Sequence, residues 1–136
     1  MLFPCKPPAY FYYGERLEAI WHTRLRLGNS TLPCHGHLYG FTDSNLCSCG
    51  SKEDTEHFFL SCPKYAAPRI ELLTSIANLI APGVHHNLLL HVGKTHLLNT
   101  ILRGSSDLSS IDNLLLFQAV HVFLRNTRRF EYIMRL

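Results

Sequence analysis

The sequence predicts a small, mainly α, irregular helical domain that contains one long loop-rich segment. Apolar residues recur at helical spacing in several stretches, and no stretch alternates strongly enough to predict a strand. A chain of 136 residues has the length of one domain, which excludes a complete polymerase, kinase or barrel enzyme. The 46% hydrophobic content excludes a disordered tail.

The first 13 residues are rich in proline and aromatic side chains, and their prolines exclude a helix. We expect residues 1–13 to form an extended lead-in, cut from something longer, and residues 14–136 to form a single domain. A first helix is predicted over residues 14–28, with Gly28 as its stop. Its apolar stripe consists of Leu17, Ile20, Trp21, Leu25 and Leu27.

Charged residues on this first helix are expected to lie on two different sides. Glu15, Glu18 and Arg26 fall outside the apolar stripe, whereas Arg24 falls inside it. An arginine on a buried side needs a partner, such as a carboxylate, a helix end or a phosphate.

Three longer helices are predicted in the second half of the chain. One begins near Pro68 and ends before Pro82, and the next spans residues 94–103 with a stop at Gly104. The last opens at Ser109, where Asp112 completes a variant of the capping box, and runs to about residue 130. Its closing arginines, Arg125, Arg128 and Arg129, are expected to be a solvated helix end that suits the helix dipole.

Residues 29–56 are rich in turn formers and need something other than a core to order them. The pattern C-x-C-x7-H-x4-C follows, formed by Cys47, Cys49, His57 and Cys62. Zinc binds four such ligands in a tetrahedron, and a site closed by four side chains is structural rather than catalytic. The separation of His57 and Cys62 does not fit one helix face, so a short helix there must loosen before Pro63. Spacing alone leaves two buried thiols and a surface histidine as an alternative.

A zinc centre with three thiolates and one neutral imidazole has net charge −1, which Lys52 and Lys64 could offset. Cys5 and Cys34 have no ligand spacing and are expected to be unligated. Cys34 lies near His35 and His37, which allows a cysteine nucleophile as an alternative, although neighbours in sequence are poor support for a dyad. The pairs His35-His37 and His85-His86 are expected to lie in solvated loops.

Three stretches carry a resemblance to a known family: residues 24–28 (RLRLG), 46–50 (LCSCG) and 53–65 (EDTEHFFLSCPKY). They resemble the C-terminal zinc-binding region of non-LTR (LINE-type) retrotransposon reverse transcriptases, which has a CCHC zinc knuckle of this spacing after an RLR-Gly segment. The resemblance covers about residues 12 to 130. It implies a knuckle over residues 47–62 that holds structural zinc.

The resemblance also implies that the chain binds template RNA or target DNA in support of retrotransposition. Arg24, Arg26, Lys52 and Lys64 are the candidates for phosphate contacts, and Tyr65 for stacking a base. For the two arginines, a helix-surface charge pair with Glu15 or Glu18 is the alternative. The family's polymerase domain carries paired catalytic aspartates, which this chain lacks. We therefore expect a C-terminal fragment without enzymatic activity.

Two further functions stay open. In the first, zinc only holds the loop against the helices, and the chain docks on a reverse transcriptase body. In the second, the chain is a non-functional retroelement remnant. The formal charge of +3 permits a nucleic-acid partner without demanding one. No signal peptide and no membrane-length apolar run are visible, so we expect a nuclear or cytoplasmic location, no membrane partner and no small-molecule substrate.

Overall fold

The computed structural model describes residues 16–28, 30, 32, 44–80 and 92–130; the predicted lead-in lies outside them. The described residues form the helices α1 (Arg16–Leu27), α2 (Ala66–Ile80), α3 (Lys94–Arg103) and α4 (Ser110–Thr127). A π-helical turn (His57–Ser61) and a 3-10 turn (Pro63–Tyr65) precede α2. Within these ranges β pairing is limited to one antiparallel bridge, so the predicted mainly helical class is confirmed. None of these helices combines the length and apolar character needed to cross a membrane.

The helix boundaries follow local sequence signals. Helix α3 has the predicted bounds, and Pro68 lies in the first turn of α2, where its missing N–H is tolerated. Ser109 caps α4, since its Oγ accepts a hydrogen bond of 3.1 Å from the backbone N–H of Asp112. Helix α4 ends at Thr127, earlier than predicted, because Arg128 adopts the left-handed conformation with φ 55°.

Helix α4 is the central helix and packs against α1, α2 and α3. Its Val120 and Leu124 are fully buried. The ring of Phe58, from the π turn, lies with its centroid 5.4 Å from those of Phe123 on α4 and of Phe130 just beyond it. The segment with the predicted metal ligands therefore contributes to the main core.

Helix α1 buries a different face from the one predicted. Trp21 and Leu25 are buried as expected, but Leu27 is 61% exposed and Arg24 is exposed. Glu18, predicted to lie outside the stripe, is buried and accepts a bond of 3.3 Å from Nη2 of Arg125 on α4. The predicted positions of Arg24 and Glu18 are therefore wrong, because polar residues with partners occupy the centre of the buried face.

Two buried histidines join α1, α3 and α4. The Nε2 of His22 lies 2.9 Å from the carbonyl oxygen of Ile101, and its Nδ1 lies 3.1 Å from Nε2 of His121. A carbonyl only accepts, so Nε2 of His22 carries the proton and donates to it, and Nδ1 of His22 accepts a hydrogen bond from the Nε2–H of His121. Burial, reinforced by His121, lowers the pKa of His22 to about 3. Burial, reinforced by Arg125, lowers the pKa of His121 to about 4.

Acidification is expected to destabilise the fold through this pair. The unfolded chain takes up protons on both imidazoles below about pH 6.5, whereas the folded state keeps them neutral down to about pH 4. Stability is therefore complete above this window and falls as the pH falls through it, by up to about 3 kcal/mol per pH unit. Urea unfolding at pH 6 and pH 5 measures this loss. The control is the double variant His22→Gln with His121→Gln, which keeps every predicted metal ligand. If the free energy of unfolding fell equally with pH in the wild-type chain and in this variant, the two histidines would not be the cause.

Gly104 ends α3 in a conformation that glycine alone adopts readily, with φ 78° and ψ −170°. A Cβ there would lie 2.7 Å from Oδ1 of Asn113 and 2.8 Å from Cζ of Phe117, both on α4. Gly104→Ala should lower the free energy of unfolding by about 2–4 kcal/mol through strain and overpacking. At Gly28, with φ +70° and open space around a Cβ, alanine should cost only about 1–2 kcal/mol of strain. Equal losses in urea unfolding would show that the contacts with α4 do not matter.

Candidate metal centre

Four side chains singled out in the sequence meet in the structure. The Sγ atoms of Cys47, Cys49 and Cys62 and a ring nitrogen of His57 all lie within 4.8 Å of one another. The Sγ atoms of Cys47 and Cys62 are 3.7 Å apart, and Sγ of Cys49 is 3.2 Å from Nε2 of His57. A tetrahedral ion with metal–sulfur bonds of about 2.3 Å separates two sulfurs by about 3.8 Å, whereas a disulfide needs about 2.0 Å. The group therefore suits a metal ion.

The first two cysteines lie on a tight turn. The N–H of Cys47 donates to the carbonyl of Ser51 at 2.6 Å, and the N–H of Gly50 donates to the carbonyl of Cys47 at 2.9 Å. Gly50 has φ +99°, a backbone conformation that residues with side chains rarely adopt, so glycine suits this turn. The bridge between Leu46 and Lys52 closes the turn and directs the sulfurs of Cys47 and Cys49 toward the other two ligands.

The other two ligands bracket the π turn. The N–H of Cys62 donates to the carbonyl of His57 at 2.7 Å, across five residues rather than the four of an α-helix. This wider turn returns His57 and Cys62 to the same side of the chain. Cys62 is extended, with ψ 123°, as the residue before Pro63 is expected to be. The expectation that the helix loosens between these two residues is confirmed.

Two acidic residues inside the segment fix its ends. Asp54 caps the turn, since its Oδ1 accepts the N–H of His57 at 2.8 Å. Glu53 is 2% exposed, and its Oε1 accepts a bond of 2.9 Å from Nη2 of Arg129. The N–H of Glu53 donates to the carbonyl of Asn45 at 2.9 Å. The expectation that Arg129 lies on a solvated helix end is wrong, because Arg129 ties this segment to the end of α4.

The cysteines differ in how easily they ionise. Burial raises the pKa of Cys62 to about 11, whereas a hydrogen bond from the backbone of Ser51 lowers the pKa of the exposed Cys49. A metal binds the thiolate form, so a cation must displace the proton of Cys62. Metal binding at this group should accordingly release protons and weaken in acid.

The side chains predicted to contact nucleic acid are placed differently from one another. Lys52 and Lys64 are exposed beside the ligand group, and Nζ of Lys64 donates to Oγ of Ser48 at 2.8 Å. Tyr65 is only 7% exposed, and its ring centroid lies 5.3 Å from that of Phe58. The prediction that Tyr65 stacks a base is wrong, because the ring is part of the core.

On α1, Arg24 is exposed and Arg26 is half-buried. Glu18, one of the two charge partners considered for them, forms an ion pair with Arg125. The other, Glu15, lies outside the described residues. The remaining cysteine and histidine candidates lie outside the described residues: Cys5, Cys34, His35, His37, His85 and His86.

Sequence reasoning missed Arg69, which is buried on α2 and donates from Nη2 to the carbonyl of Cys62 at 2.6 Å. A signal for it exists. Arg69 shares one helical face with Leu72 and Ile76, at spacings of three and seven residues, and an arginine on an apolar face needs a partner.

Comparison with protein-family models, with curated proteins and with solved structures finds no match to this chain. The resemblance to LINE-type reverse transcriptases therefore stays a prediction that depends on the quoted motifs.

Proposed function

We propose that this chain is a zinc-binding module of the LINE-type reverse transcriptase kind, and that it binds RNA or DNA through basic side chains beside the metal. The observation that carries the zinc assignment is the ligand group itself, with three sulfurs and one imidazole nitrogen within 4.8 Å. Thiolate and imidazole ligands in tetrahedral spacing are the set that zinc prefers. Because all four ligands are protein side chains, the zinc is structural.

The exposed lysines beside the metal support the nucleic-acid part of the proposal. Lys52 follows Cys49 by three residues, and Lys64 follows Cys62 by two. Both ammonium groups therefore come shortly after a candidate metal ligand in the sequence. Arg24 and Arg26 on α1 are the further candidates for phosphate contacts. Such contacts bind the backbone without reading sequence and weaken steeply with salt.

Fluorescence anisotropy titrations should show that the zinc-loaded chain binds single-stranded RNA and duplex DNA, with an affinity that falls as the salt concentration rises. Lys52→Gln with Lys64→Gln should weaken binding and reduce the slope of log affinity against log salt by about 1.4 for a single strand. The matched control is Lys94→Gln with Arg103→Gln, which removes the same charge from exposed positions on α3. Equal effects of the two double variants would contradict the proposed surface.

An apolar stripe on α4 favours a second candidate function, docking on a protein body. Ile111, Leu115 and Val122 are exposed on α4 at spacings of four and seven residues. If docking is the function, the zinc only holds the loop against the helices, and the apolar stripe on α4 packs against another protein. A folded, zinc-loaded chain that binds neither RNA nor DNA at low salt would favour docking over nucleic-acid binding.

A further inference from the structure

Arg69 contacts the part of the chain that carries the third and fourth metal ligands. Its side chain, 9% exposed, extends from the first turn of α2. Its Nε donates to the carbonyl of Phe59 at 2.9 Å, and its Nη2 donates to the carbonyls of Cys62 at 2.6 Å and Phe58 at 3.4 Å. One guanidinium therefore binds three backbone carbonyls along the turn between His57 and Cys62.

These carbonyls need such a partner. The π turn ends at Ser61, so the carbonyls of Phe58 and Phe59 face the end of a helix that does not continue. Phe58 and Phe59 are fully buried, and a buried carbonyl without a donor is costly. The planar fork of an arginine supplies several donors in fixed directions, which the single ammonium of lysine cannot do. Arg69 thus holds the turn in the shape that sets the distance between His57 and Cys62.

The charge of Arg69 also suits the metal centre. Among the described residues, no carboxylate forms an ion pair with Arg69, and its hydrogen bonds go to backbone carbonyls. Three thiolates, one neutral imidazole and a divalent ion leave one net negative charge. Lys52 and Lys64 are exposed, so water screens their charges, whereas the buried guanidinium acts through a medium of lower dielectric.

We infer that Arg69 is a positioning residue of the metal centre, which fixes the π turn and balances the charge of the thiolates. This inference rests on the proposed zinc site and goes beyond it, because it assigns part of the metal affinity to a residue that is not a ligand. Hydrogen-bonding partners outside the ligand set characteristically tune metal affinity by 10–100-fold.

The test compares Arg69→Met and Arg69→Lys with the control Arg103→Met, an exposed arginine on α3 that bonds Asn99. Zinc affinity is measured by competition with a chromophoric chelator on chains shown by circular dichroism to be helical at saturating zinc. Cobalt(II) is then substituted, because its visible absorption bands report the ligand geometry. We expect about 10–100-fold weaker zinc binding in Arg69→Met, a smaller loss in Arg69→Lys, shifted cobalt bands in both, and no change in Arg103→Met.

Three results would overturn the inference. In the first, the Arg69 variants bind zinc as tightly as the wild-type chain and give the same cobalt spectrum. In the second, the variants lose the same free energy of unfolding with zinc as without it. In the third, both variants stay unfolded at saturating zinc, which would make Arg69 a support of the helices alone. A wild-type chain that binds no zinc would instead overturn the proposed metal site.

Discussion

Cys62→Ser should abolish high-affinity metal binding and unfold the segment from Asn45 to Tyr65. The Sγ of Cys62 is fully buried and lies 3.7 Å from Sγ of Cys47, so serine leaves three ligands and a hydroxyl in the place of the fourth. Structural zinc supplies about 10–16 kcal/mol of apparent binding free energy in small zinc domains. The loss should therefore be comparable to the whole free energy of unfolding of an ordinary domain, which is about 5–15 kcal/mol.

The expected result is a chain that has lost most of its cooperative thermal transition, monitored by circular dichroism with equimolar zinc. Addition of a strong chelator to the wild-type chain should have the same effect. Ser61→Ala is the control, because Ser61 is the exposed neighbour of Cys62 within the same turn. A Cys62→Ser chain as stable as the control would show that this segment is ordered without metal.

Phe58→Ala should be the most damaging substitution outside the ligand group. Phe58 is fully buried, and its ring centroid lies 5.1–5.4 Å from those of its aromatic neighbours Phe59, Tyr65, Phe123 and Phe130. Truncating such a side chain removes its burial and leaves a cavity, at a cost of about 3–5 kcal/mol. The ring joins the π turn to α4, so the loss should appear even at saturating zinc.

Urea unfolding with excess zinc measures this effect. The control, Val122→Ala, removes apolar atoms from an exposed position on α4 and should change the free energy of unfolding by no more than about 0.5 kcal/mol. A loss in Phe58→Ala as small as that of the control would contradict the view that the metal segment and the helices share one core.

The helices and the ligand group were predictable from sequence because their signals are local. Pro68, Gly104 and the Ser109 cap mark helix ends through backbone chemistry that acts within a few residues. The separation of His57 and Cys62 likewise predicts a turn wider than an α-helix, and the structure forms one.

The buried face of α1 was not predictable in the same way. Glu18 and His22 are buried because Arg125 and His121 meet them from α4, and such distant partners leave no periodic signal. The rule that an arginine on an apolar face needs a partner holds for Arg69, whose face is set by Leu72 and Ile76. The rule misplaced Arg24 because polar residues form the centre of the buried face of α1.

The same limit applies to the surroundings of the metal ligands. Glu53 and Tyr65 belong to the ligand segment, and their sequence context suggests surface residues. Arg129 and Phe58 bury them through contacts that only the fold creates. Sequence reasoning therefore identifies the four candidate ligands that meet in the structure, whereas the residues that support them become visible only in three dimensions.

The most direct test of the zinc centre is the metal content of the purified, reduced chain, measured by elemental analysis. The account predicts one zinc per chain, bound by Cys47, Cys49, His57 and Cys62. A folded, reduced chain that contains no zinc and takes none up would contradict it.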